Sequence, residues 1–225
     1  YSGISGYSGI SGYSGISGYS GISGYSGLSG WSGKEGGNAG KIFYLDIQDT
    51  SDIGGYFTAV EAPSPNPQSG WSGALTGTGN TLVGAFATEP GVPGVELLPP
   101  GTAFRHIHCN TGAANEEARL LMEIYKRSGV TETPLRSGYS PTFLDTPIQE
   151  LVWNLTDASG YALDPVYDRL IFKLHAARVG GPATVGVQIY FNGASNASYV
   201  QTTISAGPTG LSGYSGYSGI SGYSG

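Results

Sequence analysis

Two histidines stand two residues apart in the run Phe104-Arg105-His106-Ile107-His108-Cys109. On an extended strand the side chains alternate between faces, so His106 and His108 share one face and Cys109 takes the other. Two imidazoles at that spacing can ligate a metal ion, and threefold symmetry would bring six together. No carboxylate is placed beside them by spacing, and Cys109 points away. His106 and His108 are thus the candidates for metal binding, set against a simpler reading as a polar strand face or a subunit interface. Cys109 reads as a small core residue. The expectation is no metal and no cofactor.

Acids recur at Asp46, Asp49 and Asp52 and at Glu116 and Glu117. Glycoside hydrolysis needs two carboxylates facing each other across a cleft, and loop acids alone do not establish that. Serine sits between glycines in the many Gly-Tyr-Ser-Gly repeats. A nucleophile elbow requires a strand-turn-helix context, which these repeats lack. The expectation is that the chain is not an enzyme. Asn154-Leu155-Thr156 and Asn196-Ala197-Ser198 match glycosylation acceptors, which matter only on a eukaryotic secretory route. Trp71 and Trp153 could stack on sugars or sit in a core.

The elements that must position these groups follow from composition. The chain has 225 residues, 39 of them glycine, with 12% charged residues and a net charge of −6. Without a basic patch, nucleic acid is not an expected partner. A single cysteine excludes an intrachain disulfide framework. No apolar run reaches the length of a membrane span. The sequence starts and stops in mid-repeat, which suggests a segment of a longer repetitive chain.

Glycine occupies every third position across residues 1–36 and again across residues 207–225. Most triplets are Gly-Tyr-Ser or Gly-Ile-Ser. Strict glycine at period three marks three extended chains wound about one axis, since only glycine fits at the centre. The predicted axis residues are Gly3, Gly6, Gly9, Gly12, Gly15, Gly18, Gly21, Gly24, Gly27, Gly30 and Gly33, then Gly207, Gly210, Gly213, Gly216, Gly219, Gly222 and Gly225. A flexible Gly/Ser linker and laterally packed glycine-rich helices are the alternatives. Residues 37–40 form a junction where the phase slips.

Residues 41–206 differ in character. Short β-type runs, separated by Gly-, Pro- and Asn-rich turns, predict a sandwich or barrel. They include 41–47, 54–63, 81–87, 103–109, 148–155, 168–178, 184–192 and 198–204. Residues 118–127 could be helical. They read better as a strand, because Leu120, Met122 and Ile124 alternate with Leu121, Glu123 and Tyr125. In 168–178, inward Leu170, Phe172 and Leu174 leave Ile171 outward among charges, a position suited to burial against another subunit. The fold class expected is all-β: a trimeric jelly-roll β-sandwich, flanked on both sides by triple-helical repeats. First and last strands should be antiparallel neighbours. The favoured arrangement nonetheless sends the two rods from opposite ends, in one continuous string of beads.

The runs 44–56, 82–94, 97–102, 168–178 and 190–204 resemble β-rich domains of tailed-phage structural proteins, which occur beside collagen-like repeats in tail fibres. The resemblance spans nearly all of residues 41–206. It implies a homotrimeric structural fibre protein, extracellular or virion-borne, whose partner is itself. The alternative function is an adhesion module that binds cell-surface glycans or a receptor. Triplets on both sides argue against a terminal tip.

Overall fold

β-Branched and aromatic residues dominate the runs between turns, and the computed structural model folds them as thirteen strands with no helix among the described residues. It describes residues 40–205 other than 144, 145 and 194. The predicted axis glycines and the triplet runs lie outside the described residues. The strands are β1 (Gly40–Thr50), β2 (Phe57–Val60), β3 (Gly70–Leu75), β4 (Thr81–Ala87), β5 (Leu97–Leu98), β6 (Gly101–Thr111) and β7 (Glu117–Ser128). Then follow β8 (Thr131–Tyr139), β9 (Gln149–Asp157), β10 (Tyr161–Ala162), β11 (Arg169–Gly180), β12 (Val185–Tyr190) and β13 (Tyr199–Ser205). Residues 118–127 are indeed a strand.

One large sheet runs in the order β3-β12-β6-β13-β1-β2-β4-β11-β7-β8, and β9 joins the free side of β6. The pairing is antiparallel except between β2 and β4. The sheet curls back on itself, so that strands of its two halves face each other. Phe43 of β1 meets Phe172 of β11 with ring centroids 5.8 Å apart. Phe86 of β4 meets Phe191, just after β12, at 5.1 Å. Alternation supplies the core. Ile107 and Cys109 of β6, Leu120 and Met122 of β7, Leu170 and Leu174 of β11 and Val187 of β12 are all fully buried in one cluster. A buried side chain of this size contributes about 1.5–3 kcal/mol relative to exposure. The longest pairing, β7 with β11, runs from Arg127↔Arg169 to Glu117↔Gly180.

One sequence expectation needs correction here. Ile171 is fully buried within this single chain. It pairs with Tyr125 on one side and Ala87 on the other. On the same face Glu132 bridges to Tyr56, Arg127 and Lys173, and the Lys173 ammonium lies 4.6 Å from the Tyr125 ring centre. Long side chains of the chain's own sheet close over Ile171, so it needs no neighbouring subunit.

β1 and β13 are antiparallel neighbours, as expected, and Gly40 stands opposite Ser205. The described chain therefore enters and leaves side by side, while the course of the two rods, favoured from the sequence as opposite, lies outside the described residues. A Cβ on Gly40 would collide with the Thr202 carbonyl, so only glycine fits this entry point.

Candidate functional site

β6 is central because it pairs with β9 along one side and with β12 and β13 along the other. Its alternation sends Ala103, Arg105, Ile107 and Cys109 inward and leaves Phe104, His106 and His108 on the outer face. His106 and His108 do share that face. His106 Nδ1 lies 2.7 Å from Glu150 Oε1 of β9. The His106 ring stacks on Tyr199 of β13, with centroids 4.3 Å apart and planes at 13°. Tyr199 in turn meets Tyr44 of β1 at 5.4 Å. Val152 pairs with His106, and Phe104 pairs with Asn154. Val152 is 44% exposed and Phe104 37%. An aromatic and apolar strip, rimmed by polar side chains, thus crosses four strands.

The chemistry open to this strip is limited. Burial pushes the His108 pKa below the ordinary histidine value, against the pull of Glu150, so its imidazole is neutral at neutral pH. Among the described residues no three His, Cys, Asp or Glu side chains converge as metal ligands. Ser198 lies close in space but is fully buried. Its hydroxyl donates to the Tyr190 carbonyl at 2.5 Å and accepts from the His108 backbone N–H at 3.0 Å. Serine, histidine and acid are all present, but the serine proton is held by backbone and not by a ring nitrogen. The arrangement lacks the nucleophile–base contact of acyl transfer.

The acidic clusters are structural. Asp46 is buried and accepts from the Gln48 backbone N–H at 2.8 Å. Burial would raise its pKa, but hydrogen bonds from Asn192 and the Gln48 backbone outweigh this and lower it. Asp52 pairs with Arg169, at 2.5 Å and 2.8 Å. Glu116 Oε2 accepts from the Ala113 N–H at 2.9 Å. Trp153 is a core residue, and its indole donates to the Gly138 carbonyl at 3.3 Å. Trp71 packs partly buried against the core. Trp153 therefore offers no open stacking face, whereas Trp71 keeps part of its surface exposed on an end strand of the sheet.

Sequence reasoning passed over Arg105. Its guanidinium is fully buried, and Nη1 donates to the Ala103 carbonyl at 3.0 Å. Among the described residues, Nε and Nη2 have no hydrogen-bond partner. Burial, aided by the charge of Arg136, pushes its pKa down to about 9, so it stays protonated at neutral pH. The signal was legible: the alternation that sends Cys109 into the core sends Arg105 there too.

No protein-family model matches this chain, and no curated protein does. Among solved structures, an α-amino acid ester hydrolase labelled with selenomethionine is similar, with a TM-score of 0.53 at 12% identity. The match covers 73% of this chain and 36% of that one. At this identity the likeness concerns the fold alone. It overturns the expectation of a structural fibre protein, and of an adhesion module as its alternative. The fold that carried that expectation is also found inside a hydrolase, so it does not mark a fibre component.

Proposed function

We propose that residues 40–205 form an accessory association module, a jelly-roll β-sandwich that holds three copies of the chain together within a larger protein. The observation that carries this reading is the outer strip of β6, β9, β13 and β1, where Phe104 and Val152 stand exposed beside His106, Tyr199 and Tyr44. Apolar and aromatic side chains rimmed by polar groups suit a contact surface between copies. Glycine at every third position in both flanks supports three as the number, with the flanks winding as a collagen-like triple helix. In the hydrolase the matched part is 36% of the chain, so a domain of this fold sits there within a longer protein. The resemblance to tailed-phage proteins suggests an extracellular or virion setting.

Val152→Arg tests the proposal by placing a charge in the middle of the strip. Sedimentation equilibrium should show the 225-residue chain shifting toward smaller species while its thermal midpoint barely moves. An unchanged mass would remove the strip from the contact.

A second reading, hydrolysis of an α-amino acid ester, has the solved-structure likeness in its favour. Turnover of such an ester by the purified chain, lost in His106→Gln, would establish it. The backbone-held Ser198 hydroxyl leads us to expect no turnover.

A further inference from the structure

We propose that the inner face of β6 holds a small two-oxygen anion, of carboxylate or nitrate geometry, against the buried side chain of Arg105. Nε and Nη2 lie on the same edge of the guanidinium plane and form the fork that receives two parallel oxygens. Among the described residues those are the two nitrogens left without partners, while Nη1, on the other edge, is bonded to Ala103. Among the described residues no acid acts on Arg105. Arg105 pairs across the sheet with Trp153 and Val200, both buried. Its inward neighbours on β6 are Ala103 and Ile107.

The other charge acting on Arg105 is the cation Arg136 of β8, which is itself nearly buried. Arg136 has its own partners: Nη2 donates to the Pro99 carbonyl at 3.0 Å, and Nε lies 3.5 Å from Asp157 Oδ2. Asp157 also accepts from Tyr161 and from the Ser159 backbone N–H. That carboxylate is committed to Arg136 and its own turn, which leaves the Arg105 charge without a counter-ion among the described residues. An unpaired buried charge carries a large desolvation cost. A bound anion would offset it and complete the fork.

Full burial of Arg105 also bears on the ligand. A carboxylate side chain of a second copy cannot reach it without opening the sandwich, so the occupant is small and captured as the domain closes. Formate or nitrate fits that description, and chloride supplies the charge without two oxygens.

The full chain, unfolded in urea and dialysed free of small anions, is refolded with ¹³C-formate, with nitrate or with chloride. After gel filtration into anion-free buffer, retained anion is counted by ¹³C NMR or ion chromatography. Wild-type chain should retain about one formate or nitrate per chain, as one fork binds one planar anion. Arg105→Met should retain less than about a tenth of that, because no fork remains. Arg105→Lys, which keeps the charge but not the fork, should fall between them. No retained anion in the wild-type chain overturns the proposal. So does equal retention by Arg105→Met, or chloride retention equal to that of formate. Should Arg105→Met fail to refold by circular dichroism, the wild-type comparison of formate with chloride, together with Arg105→Lys, decides the matter.

Discussion

Glu132→Ala is expected to loosen the outer face of β7 and β11 in a way that can be measured. Glu132 accepts from Tyr56 Oη at 2.7 Å, from Arg127 Nη1 at 2.9 Å and from Lys173 Nζ at 2.7 Å. In a fully buried setting each bond to a charged group would contribute about 1.5–3 kcal/mol. Here the carboxylate side chain is 16% exposed and its basic partners are open to solvent at 16% and 24%. Solvent screening brings each toward the scale of an exposed pair, about 0.5–1 kcal/mol. Three such contacts give about 2 kcal/mol, and for a chain of this size that lowers the thermal midpoint by about 4–8 °C.

The same cluster predicts a pH dependence. Burial would raise the Glu132 pKa, but the bonds from Lys173, Tyr56 and Arg127 outweigh it and hold the value below 4.5. Its stabilisation is therefore complete above about pH 4.5 and is lost as pH falls through the lower folded value. Urea unfolding followed by tryptophan fluorescence reads both effects, since Trp153 is buried. At pH 7 the midpoint should drop with an unchanged slope. As pH falls below 4.5 the gap between the variant and the wild type should narrow. A loss under about 0.5 kcal/mol at pH 7, the noise of an ordinary surface change, would refute the reasoning.

Two further outcomes are expected. Phe172→Ala, at a fully buried position against Phe43, should cost about 3–5 kcal/mol in urea unfolding; a loss below about 1 kcal/mol would mean that the two layers are not packed there. Gly18→Ala lies outside the described residues; if the flank is a triple helix, its circular-dichroism melting should fall while the domain transition stays put. Identical flank melting would favour a linker.

The sequence made the central strands legible because their alternation and turn chemistry agree. Residues 81–87 were bounded as β4 to the residue, and Cys109 was placed in the core. The edges were not legible. β3 is the Gly/Ser-rich run Gly70–Leu75, and β8 carries Pro134, where the ladder to β7 slips. Both lie at the ends of the sheet, where a strand pairs on one side only and tolerates residues that propensity counts against it. Ile171 was misjudged because alternation assigns a face but cannot say what covers it. The cover comes from Glu132 and Lys173, forty-one residues apart in sequence. Alternation leaves the place of Trp153 open for the same reason. The outer strip was half visible. His106 and His108 follow from spacing, whereas Glu150 and Tyr199 join them only through the pairing of β6 with β9 and β13.

Association of three copies is the claim on which the functional reading stands, and molecular mass tests it most directly. Each chain has a mass of 23.2 kDa. Sedimentation equilibrium of the 225-residue chain at micromolar concentration should give three times that value, about 70 kDa, as a single species with a closed interface. A mass of 23.2 kDa that does not rise with concentration would contradict it.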